Sequence, residues 1–251
     1  NFEKLSSIDR YGLSFPTRIC TECGLISQSH SISDDTIDYF YDRVYWPLTK
    51  GTNQTNTYFT YDENSEFIKF LSPSIPKNKS RLKVYEIGAG TASKLLSLEK
   101  YFQNNQISFD LYACDYSSEV IKFLQEKNIH CTHGGADSLI PIGKADIIIL
   151  SHVFEHFTNI EENLNIISQL AGNETLIYVE VPGVKNLSNN LHYNYDYQDF
   201  SVVAHIHNFT LTTLSNIFLT KQLYLLDGNE FIRSIFTKKN IKKINKKEND
   251  Y

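Results

Sequence analysis

Between Arg81 and Gly183 two hydrophobic periods take turns along the chain. The β-branched and aromatic run "LKVYEIG" ends at a glycine turn, and "SKLLSLEKYFQ" follows with apolar residues at helical spacing. "FDLYACD" reads as a second strand and "SSEVIKFLQEK" as a helix capped by Ser117 or Ser118. "IHCTHGG", "ADIIIL" and "TLIYVEVPG" are three more apolar runs of strand length. The amphipathic "TNIEENLNIISQLAG" lies between the last two, with Ile160, Leu164, Ile167 and Leu170 on one stripe and Gly172 as a stop. Strands continuous in hydrophobicity and alternating with helices predict an α/β fold with a doubly wound, mostly parallel sheet covered on both faces. After a polar, tyrosine-rich loop, "TLTTLSNIFL" reads as a helix, and "LYLLDG" and "EFIRSIFTK" as a C-terminal antiparallel hairpin. Residues 1–75 show little periodicity and are expected to form a small irregular segment; residues 76–251 form the main domain, with 184–210 as a loop insertion.

A chain of 251 residues is long enough to bury a sizeable core. Its 24 Lys+Arg against 29 Asp+Glu, net −5, argue against a nucleic-acid or membrane footprint. The apolar runs are too short to span a bilayer. Four cysteines suit a reducing, cytoplasmic setting rather than a disulfide scaffold. There is no methionine, even at position 1, so Asn1 is expected not to be the natural start. The lysine-rich end "KKNIKKINKKEND" reads as a solvated tail.

Ligands of open α/β sheets bind beyond the carboxyl ends of the strands, where strand order reverses. The first strand of the series ends in "EIGAGTAS", where Gly88 and Gly90 let the backbone turn tightly and approach a ligand closely. Glu86 can accept hydrogen bonds there. A dinucleotide fingerprint would need glycine at Ser93, and Ala92 stands where a third glycine would be. The second strand ends in Asp115, which either binds a ribose diol or caps the next helix.

The ordered set "EIGAGTAS", "CDYS", "GGADSL", "IIILSHVFEHF", "LIYVEVPG" and "HIHNFTLTTLSNIF" resembles a class I S-adenosylmethionine-dependent methyltransferase over most of residues 81–237. The resemblance implies a Rossmann-like fold and S-adenosyl-L-methionine as cofactor. Glu86, Gly88 and Gly90 would line its methionine part, Asp115 its ribose, Ala136 and Asp137 its adenine, and Ser151 its amino-acid end. Tyr116 would pack on the adenine or belong to the core.

His152, Glu155 and His156 follow the fourth strand of the series, on the same edge. A helical turn starting at His152 would put all three on one face. Glu155 and His156 would hydrogen-bond the loop backbone and orient the site, or His152 or His156 would act as general base toward an acceptor hydroxyl. A third reading has His152, Glu155 and His156 bind a divalent metal with His205 or His207 of "AHIHNFT", His207 being the fourth ligand of the set. That pattern is similar to the metal-dependent small-RNA 2′-O-methyltransferases. His152 in place of their first acid makes the set richer in nitrogen, which favours Zn, Mn or Fe over Mg.

"RICTECGLIS" contributes Cys20 and Cys23, half of a zinc knuckle. It resembles the N-terminal segment of bacterial methyltransferases, including sugar C-methyltransferases, in which an earlier Cys pair precedes. That implies structural zinc completed by an upstream pair, with His30 a weaker alternative ligand. Cys114 and Cys131 read as buried apolar residues. The loop residues His192, Tyr193, Tyr195 and Tyr197 suit a sugar or another hydroxylated metabolite, and equally an ordinary polar loop; Tyr39, Tyr41, Tyr45 and Trp46 would form a lid or pack on the core. The function expected is methyl transfer to a small, hydroxylated, sugar-containing substrate such as a glycan precursor or sugar nucleotide. Transfer to an RNA ribose through a metal, and a non-catalytic zinc-ribbon or nucleotide-binding protein, are the alternatives.

Overall fold

The computed structural model describes residues 1–29, 65–189, 193–230 and 232–239, with isolated positions 33, 36, 39 and 43. His30, Tyr41, Tyr45, Trp46, His192 and most of the lysine tail lie outside the described residues.

Five strands form the parallel core: β4 (Leu82–Ile87), β5 (Phe109–Asp115), β6 (His130–His133), β7 (Ala145–Ser151) and β8 (Ala171–Glu180). The predicted C-terminal hairpin, β10 (Tyr224–Gly228) and β11 (Arg233–Thr237), adds on antiparallel through β11 and β8. Among the described residues this gives a seven-stranded sheet in the order β10-β11-β8-β7-β4-β5-β6. The chain leaves β4 toward β5 on one side and returns as β7 on the other, so strand order reverses beside β4. Ligands bind at such a crevice.

Both faces are covered, as the continuous hydrophobicity of the strands requires. On one face, Phe67 and Leu71 of α1 (Glu66–Leu71), Leu95, Leu98 and Phe102 of α2 (Ser93–Asn104) and Leu124 of α3 (Ser118–Glu126) pack over Val84, Ile147 and Ile149. On the other, Leu164, Ile167 and Leu170 of α4 (Ile160–Leu170) join Leu214 and Phe218 of a later helix (Leu211–Leu219) over Tyr85, Ile148 and Ile177. Each fully buried Leu, Ile or Phe stabilises the fold by about 1.5–3 kcal/mol, so these two faces dominate. Ser117 caps α3, accepting from Val120 N, as one of its two predicted candidates.

Two expectations need correcting. Gly172 does not stop α4: the helix ends at Leu170 and β8 starts at once at Ala171, placing Gly172 inside the strand. The N-terminal segment is also more regular than its weak periodicity suggests. Strands β1 (Phe2–Ser6), β2 (Thr17–Cys20) and β3 (Ile26–Gln28) form a second sheet with the two-residue β9 (His207–Asn208). α1, also from the first 75 residues, packs in the main core.

Candidate active site

The carboxyl edge of the sheet brings one row of residues together. Asp115 pairs with His133, Ser151 with Glu180, and Glu180 with Arg233, while Gly88 follows Ile87, the partner of both Cys114 and Leu150. Gly88 and Gly90 have φ of +63° and +52°, which let the chain fold back over the edge. Ala92 takes a left-handed φ of 53°, the conformation that a third glycine would supply freely. Ala92 therefore makes the left-handed turn itself.

Ala92 gives α2 no side-chain cap. Glu86 supplies one from outside the helix, its Oε2 accepting from Leu95 N at 3.2 Å. Glu86 is 3% exposed, and burial pushes its carboxyl up to about 8 against that hydrogen bond and the Lys94 charge. Asp115 is not the helix cap, which is Ser117; its Oδ1 accepts from Ser117 N and its Oδ2 from Gly90 N, each at 2.8 Å, tying the glycine loop to the start of α3. Burial raises its carboxyl too, against those two bonds.

The half-exposed Tyr116 lies over Gly135, where a Cβ would meet its hydroxyl at 2.7 Å and Asp137 Oδ1 at 3.0 Å. Tyr116, Gly135 and Asp137 thus share a corner beyond Asp115. Ala136 turns its side chain into the core, so only its backbone can border a ligand.

Sequence reasoning missed a charged hub at Glu180. It accepts from Tyr178 Oη at 3.0 Å and Ser151 Oγ at 3.2 Å, and it pairs with Lys94 Nζ at 2.6 Å and Arg233 Nε at 3.1 Å. Burial would raise its carboxyl, but the Lys94 and Arg233 cations, with His152, hold it at about 2. The available signal was an acid at the end of the apolar run "TLIYVE", since a buried charge requires partners.

The His-Glu-His segment packs directly against the glycine loop: a Cβ at Gly88 would come within 2.7 Å of Val153 Cγ2. The helical turn starts at Phe154 rather than at His152, whose φ is 56° and whose N–H donates to Glu180 O at 2.7 Å. Phe154 anchors the turn among Phe157, Phe209 and Phe218.

The three predicted residues still converge. Glu155 is 1% exposed, and neither of its oxygens has a hydrogen-bond partner among the described residues. Around its Oε1 stand His152 Nδ1 at 3.5 Å, His156 Nε2 at 3.8 Å and His205 Nε2 at 4.0 Å. Burial would raise the Glu155 carboxyl, but the imidazoles, His156 first, outweigh it and hold the carboxyl below its usual value. Although partial desolvation opposes the charged form of the exposed His152, Glu155 and Glu180 raise its pKa. Burial takes His205 down to about 4.

His207 is not in this group. It lies within β9 opposite Ser27, its ring 6.2 Å from that of Phe209, whereas His205 sits in the turn before the strand. His205 takes the place expected for His207.

A methyltransferase domain family matches residues 57–227, more than half of the chain. The chain belongs to that family. The methyltransferase carries the glycine loop, the acids Glu86 and Asp115 and the strand order just described. Its fold is similar to an S-adenosylmethionine-dependent methyltransferase from Clostridium acetobutylicum, at TM-score 0.51 and 12% identity over 72% of this chain and 93% of that one. It is also similar to the CMeT domain of citrinin polyketide synthase, at TM-score 0.50 and 13% identity over 68% and 50%. A third likeness is to the plantazolicin methyltransferase BpumL in complex with SAH, at TM-score 0.48 and 20% identity over 67% and 71%. No curated protein matches the sequence. Among the described residues, no helix of the methyltransferase is long and apolar enough to cross a membrane.

Cys20 ends β2 and Cys23 lies exposed in the turn to β3. Backbone N–H groups of Cys23 and Glu22 face the Cys20 sulfur and lower its pKa. Cys114 is fully buried, and burial pushes its thiol up to about 12; Cys131 is only partly buried.

Proposed function

We propose that this methyltransferase transfers a methyl group from S-adenosylmethionine to a hydroxyl of a small, sugar-containing acceptor, activated by the His152–Glu155–His156 cluster. The observation that carries the reading is the contact of Val153 with Gly88, which sets the cluster against the loop expected to hold the cofactor. In this reading Glu86, Gly88, Gly90 and Ser151 border the methionine part, Asp115 holds the ribose, and Tyr116, Asp137 and the Ala136 backbone flank the adenine.

Methyl transfer depends mainly on placing the nucleophile in line with the S–CH₃ bond. The acceptor oxygen forms the new bond to carbon, and the C–S bond breaks with its electron pair left on sulfur. The hydroxyl proton passes to His152, whose side chain is 57% exposed at the mouth of the cluster. Glu155 orients that imidazole from beneath.

The sugar preference is supported by the segment from Tyr193 to Phe200. Asn194 and Tyr195 are both left-handed, with φ of 48° and 60°, and Tyr195 is left exposed on the turn. Such strain concentrates at ligand-binding segments. An exposed aromatic ring beside amides suits the face of a sugar. Cys20 and Cys23, joined by an upstream pair, would hold a zinc ion of structural role.

Incubation with S-adenosylmethionine and pooled sugar nucleotides and glycan precursors tests the reading. Gain of one methyl mass on a hydroxyl that is lost in His152→Ala supports it. Methylation confined to nitrogen or carbon acceptors, or untouched by that substitution, refutes it.

A further inference from the structure

Glu155 poses a problem that the methyl-transfer chemistry does not solve. Its carboxylate is 1% exposed and both oxygens lack hydrogen-bond partners among the described residues. A buried anion needs a compensating cation or several donors. What faces it is a set of imidazole nitrogens at 3.5–4.0 Å.

The His156 ring is oriented by a hydrogen bond. His156 Nδ1 stands 2.6 Å from Ala204 O. A carbonyl only accepts, so Nδ1 carries a proton, which leaves Nε2 as the ring atom facing Glu155 Oε1, at 3.8 Å. Fixing a ring through Nδ1–H to a backbone carbonyl is how proteins present Nε2 to a metal. His205 brings a third donor: ligand atoms of Glu155, His156 and His205 all lie within 4.8 Å of one another. Ligands about 2.1 Å from a tetrahedral ion lie roughly 3.4 Å apart, so small side-chain adjustments close the set.

We propose that Glu155, His156 and His205 bind a divalent transition-metal ion. Two imidazoles and one carboxylate form a nitrogen-rich, three-ligand set that suits Zn, Mn or Fe and leaves coordination positions open. His152, at 3.5 Å from Glu155 and far more exposed, borders the open side. Three hydrogen bonds back the site on the His205 side. Gln28 Nε2 donates to Val203 O at 2.7 Å and to His205 O at 3.3 Å, and the fully buried Asp9 accepts from Val203 N at 3.1 Å. An ion held here would take the acceptor hydroxyl into an open position and lower its pKa. Only that catalytic role rests on the methyl transfer proposed above, since binding of the ion needs no acceptor.

The test uses the full chain carrying Cys20→Ser and Cys23→Ser, so that thiolates contribute no metal binding. After chelation and dialysis, the protein is titrated with Co²⁺, read by its visible absorption bands, and Zn²⁺ is then used to displace the Co²⁺. One equivalent of Co²⁺ is expected, with affinity falling by about 100-fold or more in His205→Ala and in Glu155→Gln, and unchanged in His207→Ala. S-adenosylmethionine binding, measured in parallel, reports that each variant is folded. No ordered Co²⁺ site in the parent protein, or equal affinity in folded Glu155→Gln and His205→Ala, overturns the proposal and leaves a protonated His–Glu cluster. Metal binding without methylation of any hydroxyl would sink the acceptor reading while leaving the metal site standing.

Discussion

Gly88→Ala probes the junction between the glycine loop and the His-Glu-His segment. The new side chain meets two separate obstacles. Its φ of +63° is left-handed, which costs a residue with a Cβ about 1–2 kcal/mol. The methyl would also sit 2.7 Å from Val153 Cγ2, 3.3 Å from Cγ1 and 3.6 Å from Cβ. Valine is stiff at χ1, and rotating it only exchanges one methyl for another, so the loop itself must shift. Overpacking of this kind costs about 1–3 kcal/mol. The single substitution should therefore lower stability by roughly 2–5 kcal/mol.

Val153→Ala removes the steric part but not the backbone part. Alone it should cost about 1 kcal/mol, since Val153 is only partly buried. In the double variant the clash disappears, giving a favourable coupling of about 1–3 kcal/mol. Urea unfolding of the four proteins, with unchanged m-values, measures that coupling. Calorimetry with S-adenosylmethionine reads the same cycle at the pocket, where affinity should drop in Gly88→Ala and recover in part in the double variant. A Gly88→Ala protein within 0.5 kcal/mol of the parent, or strictly additive substitutions, would refute the contact and with it the placement of the cluster.

Three further outcomes are expected. Asp115→Asn should weaken S-adenosylmethionine binding about 10- to 100-fold, because charge-assisted bonds to a ribose diol are worth about 1.5–3 kcal/mol each; calorimetry showing unchanged affinity would remove Asp115 from the ribose role. Glu180→Gln strands Lys94 and Arg233 beside a neutral group and should cost about 3–5 kcal/mol in urea unfolding at pH 7. Since the folded Glu180 carboxyl is depressed to about 2 from 4.5, its contribution is present above pH 4.5 and lost as pH falls toward 2; the gap between parent and variant should close over that window. Glu86 runs the other way. Its carboxyl is raised from 4.5 to about 8, so its contribution to stability is present below pH 4.5 and lost as pH rises toward 8. A sulfonium ligand nearby would pull that pKa down, so binding should release a proton and tighten between pH 6 and 8; a binding enthalpy independent of buffer ionisation heat would contradict this.

Much of the fold was legible because its signals are local. Strand-length apolar runs, the helix stripes and the Gly88–Gly90 turn depend on neighbours within a few residues. Glu86 and Asp115 could be placed at one edge because each ends a strand of a parallel sheet. What escaped depends on distant partners. β9 has two residues and no periodicity of its own; it exists because Ile26 and Ser27 pair with Asn208 and His207. That pairing decides which histidine reaches Glu155, and spacing within "AHIHNFT" alone favours neither. Gly172 misled because a glycine after an amphipathic run usually ends a helix, whereas here the strand begins within one residue. Glu180 was hidden inside an apolar run, its partners Lys94 and Arg233 lying on other elements.

The two bonds from the Gln28 amide have a practical consequence for anyone trimming the gene. Cutting at residue 57, where the family match begins, would retain every motif from "EIGAGTAS" onward yet delete the strand that steadies the backbone of His205. Such a shortened enzyme should still grip its nucleoside cofactor while one wall of the reaction chamber swings loose, so a poor turnover measured on it would reflect the missing buttress rather than the chemistry of the catalytic groups.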